Sequence, residues 1–345
     1  MKRLIKKFKR GDKNEAPSDT SRITNETLEE TRKEVLKSSR KFIYPIQKSK
    51  HRVVILSSII GAVVFIAFIG FSLLSLYRYK STSTFIYRVT QVVPFPVAKA
   101  GSSFVSYEDY LFEIRQYIHY FETQENVNFS ELEGKQQLEA QRKVALQKVI
   151  DQAYIRQIAK DKKITVSDEE IDKEIELLQS QNRLGSNPEA LQEIIRDYYG
   201  WTIKDFRRSL SDRVLFTKVL AALDTETTDR ANAALAELNA GADFGAMAAK
   251  YSDDSSTKDK SGEIGFLIEK VDRNVPAQMT SALYALNPGE ISGIVNVGYG
   301  LEIVKNLENK DGKIRAAYIL FNFKDMQVFL NTEKEKHKAT SYIRL

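Results

Sequence analysis

The chain has 345 residues, with 52 Lys and Arg against 46 Asp and Glu, three His and no Cys. The lack of Cys excludes disulfides and Cys-based zinc sites, and three scattered histidines (His51, His119, His337) do not make a His-rich metal centre, so no metal or cofactor is expected. The surplus of positive charge does not point to nucleic acid. It is confined to residues 1–52, which hold 16 of the basic and 7 of the acidic residues and leave 36 and 39 for the rest.

Residues 1–24 mix Lys and Arg with Gly, Pro and Ser and have no sustained apolar period, which predicts disorder. A short helix is predicted next. Thr24 or Asn25 can cap it, Glu26, Glu29 and Glu30 suit its N-terminal dipole, Lys37, Arg40 and Lys41 suit its C-terminal end, and Pro45 stops it. The functional reading of this segment is a lipid-surface or cytoplasmic contact; the plainer one is a solvated tether.

Val53 to Tyr77, VVILSSIIGAVVFIAFIGFSLLSLY, contains no charged residue and predicts a transmembrane helix. At about 1.5 Å per residue it crosses a hydrocarbon core of roughly 30 Å. Helical backbone satisfies the polar groups that lipid cannot. The basic flank, with Lys48, Lys50 and Arg52 beside the span, places the N-terminus in the cytoplasm and the rest of the chain outside a cell membrane that it crosses once. The external part, about 265 residues, is long enough for two compact units stabilised by packing alone.

Beyond the span, Val92–Val97 (VVPFPV) is predicted to be extended because its two prolines forbid a helix. A helical pattern then runs to about residue 223. Tyr107, Leu111, Ile114, Ile118 and Phe121 form one stripe, and a longer helix over 133–161 carries Leu146, Val149, Ile150, Ala153 and Tyr154. Ser167 with Glu170 makes a capping box ahead of Ile171, Ile175 and Leu178. Asn187 and Pro188 start a further helix that Gly200 ends, and Thr202 with Asp205 caps the one carrying Phe206, Leu210, Val214 and Thr217.

The runs VPFPVAKAGSSFVSYEDYLFEI, KVALQKVIDQAYIRQIAKDKKITVSDEEIDKEI and DYYGWTIKDFRRSL resemble the N-terminal chaperone domain of SurA-like and PrsA-like foldases. That resemblance implies an all-helical chaperone domain joined to a parvulin-type peptidyl-prolyl isomerase (rotamase) domain. Unfolded or proline-containing exported polypeptides would be the partners, beside membrane lipid.

From Thr228 the pattern changes to small residues and Gly-punctuated strands. The order GADFGAMAAKYSDDSS, SGEIGF, ALYALNPGEIS and GYGLEIVKNLE resembles a parvulin domain. Parvulin chemistry is rotation about the X-Pro bond, against a barrier of about 18–20 kcal/mol. It needs no nucleophile, only a dry apolar grip on the proline ring and polar groups that favour the twisted amide. By correspondence, Ile264, Val275 and Met279 line the pocket, and Asp254 sits beside the substrate carbonyl, although a plain turn aspartate would look the same.

Two departures bear on activity. Parvulins carry a central histidine pair, whereas here Glu302 replaces one histidine in the last strand, and the first strand is missing before Thr228, where LFTKVLAAL is helical. A similar strand follows instead, Arg315–Phe321, with Tyr318 at the histidine position and Asp311-Gly312 as a hairpin turn. The expectation is an α+β chain in which a circularly permuted, four-stranded antiparallel sheet holds Glu302 facing Tyr318; a truncated second copy is the alternative. The tail from Phe323, with Met326, Phe329 and Leu330 amphipathic, resembles the segment that SurA-like proteins return to the chaperone domain.

The expected organisation is a basic tail at 1–52, a span at 53–77, a helical domain at 78–223 completed by 325–345, and a parvulin-like domain at 224–324. The expected function is a membrane-anchored extracytoplasmic foldase. A non-catalytic chaperone with a degenerate peptide-binding parvulin domain, and a single-pass sensor or scaffold, remain open beside it.

Overall fold

The computed structural model describes residues 25–43, 45–182, 184–185 and 187–345, so the disorder expected for 1–24 lies outside the described residues. The chain forms two compact units, one ending at Phe71 and one spanning Ser72–Leu345.

In the first unit, α1 (Asn25–Ile43) is followed by α2 (Pro45–Leu73). Pro45 separates the two helices, and it opens the second because a first-turn proline gives up no helical hydrogen bond. Helical structure continues beyond α2. Among the described residues, His51–Arg78 is the one helical stretch long and apolar enough to cross a membrane, and it contains the predicted span.

In the second unit, which begins within α2, a π-helical turn follows, Leu74–Arg78. Leu76 is fully buried, and its carbonyl accepts the Tyr107 hydroxyl at 2.7 Å. Tyr77 donates to the Pro96 carbonyl at 2.5 Å, and Arg142 donates to that of Lys80 at 3.1 Å. Ser83 caps α3 (Thr84–Val92), a helix the sequence reading missed, so the chain becomes extended only at Val93. The hairpin β1 (Pro96–Ala100) and β2 (Ser103–Ser106) then leads into α4 (Tyr107–Thr123), whose cap is Ser106.

Four more helices complete this half: α5 (Leu132–Asp161), α6 (Asp168–Ser180), α7 (Pro188–Tyr199) and α8 (Ile203–Leu223). The predicted capping boxes at Ser167–Glu170 and Thr202–Asp205 are both formed, each satisfying two orphan backbone donors. Gly200 ends α7 at φ +66°, a conformation in which a Cβ would also strike the His119 ring at 2.8 Å. The stripe of α4 packs as its spacing predicts, with Tyr107, Leu111 and Ile114 buried. Buried faces of α4, α5 and α8 are pinned by Arg208, which bonds Glu108 at 2.8 Å and also Asp109, and by Arg156, which reaches Asp109 at 3.2 Å and Asp212 at 3.0 Å.

The other half contains α9 (Thr225–Asn239), α10 (Phe244–Tyr251), β3 (Glu263–Ile268), α11 (Ala277–Tyr284), β4 (Val295–Asn296), β5 (Gly300–Lys310) and β6 (Lys313–Asn322). Its antiparallel sheet has the order β3-β6-β5-β4, so the late strand β6 takes a central place, as expected of a permuted sheet. The β5–β6 turn is two residues long, with Asp311 at φ +52° and Gly312 at φ +76°, the twist a tight hairpin requires.

Helices cover both faces of this sheet. Leu301, Ile303, Ala317, Ile319 and Phe321 pack on α9 and α10. Val304, Ile314 and Ala316 pack on α11 through Met279 and Leu283. Alternation along a strand therefore separates two buried faces rather than core from solvent.

The tail turns back to the helical half. Leu330 of α12 (Met326–Lys336) is fully buried, α12 packs on α5, and Tyr154 donates to the His337 carbonyl. β7 (Thr340–Ser341) then pairs with β1 to make a small sheet of order β2-β1-β7. The helical half thus also holds three short strands, which the sequence reading did not include.

Candidate active site

The site lies on the α11 face of the larger sheet, where three segments converge. β3 follows only the first part of β6: Glu263 opposes Ala317 but Leu267 opposes Arg315, so Ile264–Phe266 bulge outward around Gly265 at φ +84°. The second part of β6 is flanked by the loop after α10. There the Asp253 N–H donates to the Leu320 carbonyl at 2.8 Å, and the Leu320 N–H donates to Ser252 Oγ at 3.2 Å. Gly262 is where the loop and β3 meet. Its carbonyl accepts the Tyr318 N–H at 2.9 Å, and a Cβ there would come within 2.6 Å of the Tyr318 carbonyl oxygen.

These constraints bring Ile264, Val275, Met279 and Tyr318 into one apolar cluster with Ile268, Leu283 and Val304. Met279 and Val275 are buried and form its floor, while Ile264 and Tyr318 are partly exposed and form its rim. Phe266, 44% exposed on the bulge beside Ile264, adds apolar surface that the sequence reading did not single out.

Asp254 sits at the edge of this cluster, in contact with Tyr318. The Tyr318 hydroxyl donates to Asp254 Oδ2 at 2.5 Å, as does Thr257 Oγ1 at 2.5 Å. Ser256 donates to Oδ1 through both its N–H, at 3.0 Å, and its hydroxyl, at 2.8 Å. Burial disfavours the anion, yet these donors outweigh it and hold the carboxyl below the usual carboxylate range. For Tyr318, burial and the Asp254 anion both push the phenol up, so it stays a donor.

Glu302 is placed differently from the expectation. It opposes Leu320, and Tyr318 opposes Val304, because the two-residue turn and a one-residue bulge near Leu307 set the register. The expected Glu302–Tyr318 pair is therefore not the one formed. Glu302 is fully buried, Oε1 accepts the Tyr299 hydroxyl at 3.3 Å, and Oε2 has no hydrogen-bond partner among the described residues. Burial pushes this carboxyl up to about 7, with Tyr299 pulling the other way.

Tyr299, which the sequence reading missed, also lines a groove of about 1200 Å³. The groove runs along Phe112 of α4, Val144 and Ile155 of α5, Phe216 of α8 and Met326 of α12. Val144 is 59% exposed there and Tyr299 is 53% exposed, so apolar surface is open to a ligand. The G-Y-G-L-E spelling placed a tyrosine three residues before Glu302, and that was the available signal.

The family described as SurA-like N-terminal domain matches residues 45–220, just over half of the chain. The PPIC-type PPIASE domain matches residues 215–308 and stops short of β6. Foldase protein PrsA of Clostridium acetobutylicum is 24% identical over 212 residues, covering 52% of this chain and 63% of its own. That of Clostridium botulinum is 24% identical over 266 residues, 67% of this chain and 78% of its own. The 1.70 Å crystal structure of a peptidylprolyl isomerase (PrsA) from Bacillus anthracis aligns over 55% of this chain and 86% of its own, at 20% identity and a TM-score of 0.17.

Proposed function

Since the chain belongs to the family with the SurA-like N-terminal domain, we propose that it is a foldase for exported proteins, a chaperone carrying a peptidyl-prolyl cis-trans isomerase site. The observation that carries this reading is the cluster of Ile264, Val275, Met279 and Tyr318 within the same compact unit as the apolar groove. The groove holds an unfolded segment, and the cluster grips a proline within it. Residues 78–223 with 325–345 form the chaperone part and 224–324 the isomerase part. The apolar stretch within His51–Arg78 anchors both to the cell membrane, with the basic tail in the cytoplasm and the two parts outside it.

The chemistry asked of the site is limited. As the X-Pro amide twists it loses resonance, and its nitrogen becomes pyramidal and basic. An apolar floor that excludes water removes the hydrogen bonds that stabilise the planar ground state, and ring contacts hold the proline while the preceding carbonyl turns. In this reading Ile264, Val275 and Met279 bind the ring. Tyr318, fixed by Asp254, presents a rigid polar edge to the turning carbonyl. Glu302, sealed under Tyr299, supports the sheet beneath.

A second reading is favoured by one observation. Asp254 is saturated by Ser256, Thr257 and Tyr318, and Glu302 is sealed from solvent, so neither carboxyl has a free oxygen at the cluster surface to replace the missing histidine pair. That arrangement suits a peptide-binding module without isomerase activity. Cis/trans exchange of a proline peptide, followed by NMR with the full-length protein in detergent micelles, separates the two. Acceleration that Met279→Ala abolishes is the expected result. No acceleration, with suppression of client aggregation intact, overturns the enzyme and keeps the chaperone.

A further inference from the structure

The floor of the cluster is not held by the isomerase half alone. Val275 and Met279 follow the stretch 269–274, and this stretch is clasped from the helical half. After α6 ends at Ser180, Gln181 turns in and is 4% exposed. Its Nε2 donates to the Lys270 carbonyl at 3.1 Å, and its Oε1 accepts the Asp272 N–H at 3.4 Å. Asp272, itself buried, accepts the N–H of Glu269 at 3.3 Å and of Asn274 at 2.8 Å on its two carboxylate oxygens.

The chemistry of this clasp is specific. A backbone carbonyl and a backbone N–H two residues apart need one donor and one acceptor on the same short arm, which a side-chain amide supplies and a carboxylate, an ammonium or an alkyl chain does not. Two flanking contacts reinforce it. Gln278 Nε2 donates to Glu174 Oε1 at 3.2 Å, and Arg273 donates to the Asn182 carbonyl at 3.2 Å. Helices α6 and α11 are also in contact, through Glu174 and Gln278.

We propose that Gln181 is a positioning residue for the proline site: acting from the helical half through residues 270–272, it fixes where Val275 and Met279 stand against β5 and β6. The proposal rests on the reading of this cluster as a proline pocket. Gln181 itself touches no substrate. Without its amide, the buried Asp272 N–H loses its Gln181 partner and the Lys270 carbonyl its donor, the loop relaxes, and the floor moves relative to the rim formed by Ile264 and Tyr318. The two halves of the foldase are then one machine, and the isomerase half depends on the chaperone half for the shape of its pocket.

The test uses the full-length protein in detergent micelles and Gln181→Met, which keeps the length and volume of the side chain but cannot make the clasp. A proline peptide is titrated while cis/trans exchange and the 13C-methyl signal of Met279 are followed, with aggregation suppression and the melting temperature measured alongside. The expected result is a KM raised about tenfold with kcat within about twofold of wild type. The Met279 methyl signal shifts in the free protein, while aggregation suppression is unchanged. A KM within about twofold of wild type and an unmoved Met279 signal overturn the proposal. If the wild type does not accelerate exchange, the enzyme reading fails by itself, and the peptide titration still decides: weaker binding by Gln181→Met supports the clasp, and equal binding overturns it. A wild type whose Met279 signal ignores the peptide overturns both.

Discussion

Asp254 and Glu302 are carboxyl groups held at one site, and the fold treats them in opposite ways. Asp254 lies on a loop where Ser256 and Thr257, with Tyr318 of the nearest strand, turn donors toward it, so it remains an anion at the expense of burial. Glu302 lies mid-strand between two packed layers, has one long hydrogen bond, and is driven toward its neutral form. Charge at a buried or half-buried position is thus decided by how many donors the surrounding chain can bring, more than by residue type. A loop can bend its own hydroxyls and amides back on a carboxylate, whereas a central strand has already committed its amides to the ladder.

Removing the favoured carboxyl breaks this contrast most sharply. Asp254→Ala leaves Tyr318, Thr257 and Ser256 without their acceptor and is expected to destabilise the protein by about 4 kcal/mol, read as a lower urea midpoint with unchanged slope. Low pH has the same sense. Because the folded value of Asp254 is depressed, the stability it contributes is present above the unfolded value of 3.8 and is lost as the pH falls through the folded one.

The disfavoured carboxyl predicts the reverse slope. With a folded value of about 7 against 4.5, the native state binds the extra proton between these limits, so stability falls as pH rises from 4.5 to 7 and levels off above. The expected loss is roughly 3 kcal/mol. Glu302→Gln keeps the volume and abolishes the slope, so urea midpoints at pH 5 and pH 8 should coincide in that variant. A wild type whose midpoints already coincide would show that Glu302 is ionised throughout.

The smallest effect concerns the link between them and the groove. Tyr299→Phe removes the one hydrogen bond that lowers Glu302, which should move the midpoint of the stability slope upward in pH and cost less than about 1 kcal/mol at pH 5. The same variant tests whether the groove recognises the phenol, through the affinity for an unfolded client.

Local rules made much of this legible from the sequence. Ser167–Glu170, Thr202–Asp205, Asn187-Pro188 and Gly200 punctuate the helices where their chemistry requires, and Asp311-Gly312 forms the expected hairpin. Ile264, Val275 and Met279, singled out by family correspondence, lie in one apolar cluster. What escaped is non-local or depends on register. Glu302 misses Tyr318 because the register that the two-residue turn at Asp311-Gly312 sets, shifted by one at a bulge near Leu307, lays it opposite Leu320, and neither charge nor hydropathy marks that register. Gln181 meets residues 270–272 across about ninety positions of chain, and a lone glutamine at the end of a helix carries no signal of that. Helix α3 was missed because TFIYRVTQV is short and β-branched, and its formation relies on Ser83 and on burying Ile86 and Val89.

β1 receives its second neighbour, β7, from more than 200 residues later in the chain. A ribosome delivers β1 long before Thr340 and Ser341, so until those two emerge β1 keeps a bare edge of amides and carbonyls. The closing contact spans nearly the whole second unit, which places it among the slow, entropically costly steps of folding. The protein therefore passes through a vulnerable interval of its own during synthesis, and removing Thr340–Ser341 should leave that β1 edge open for good.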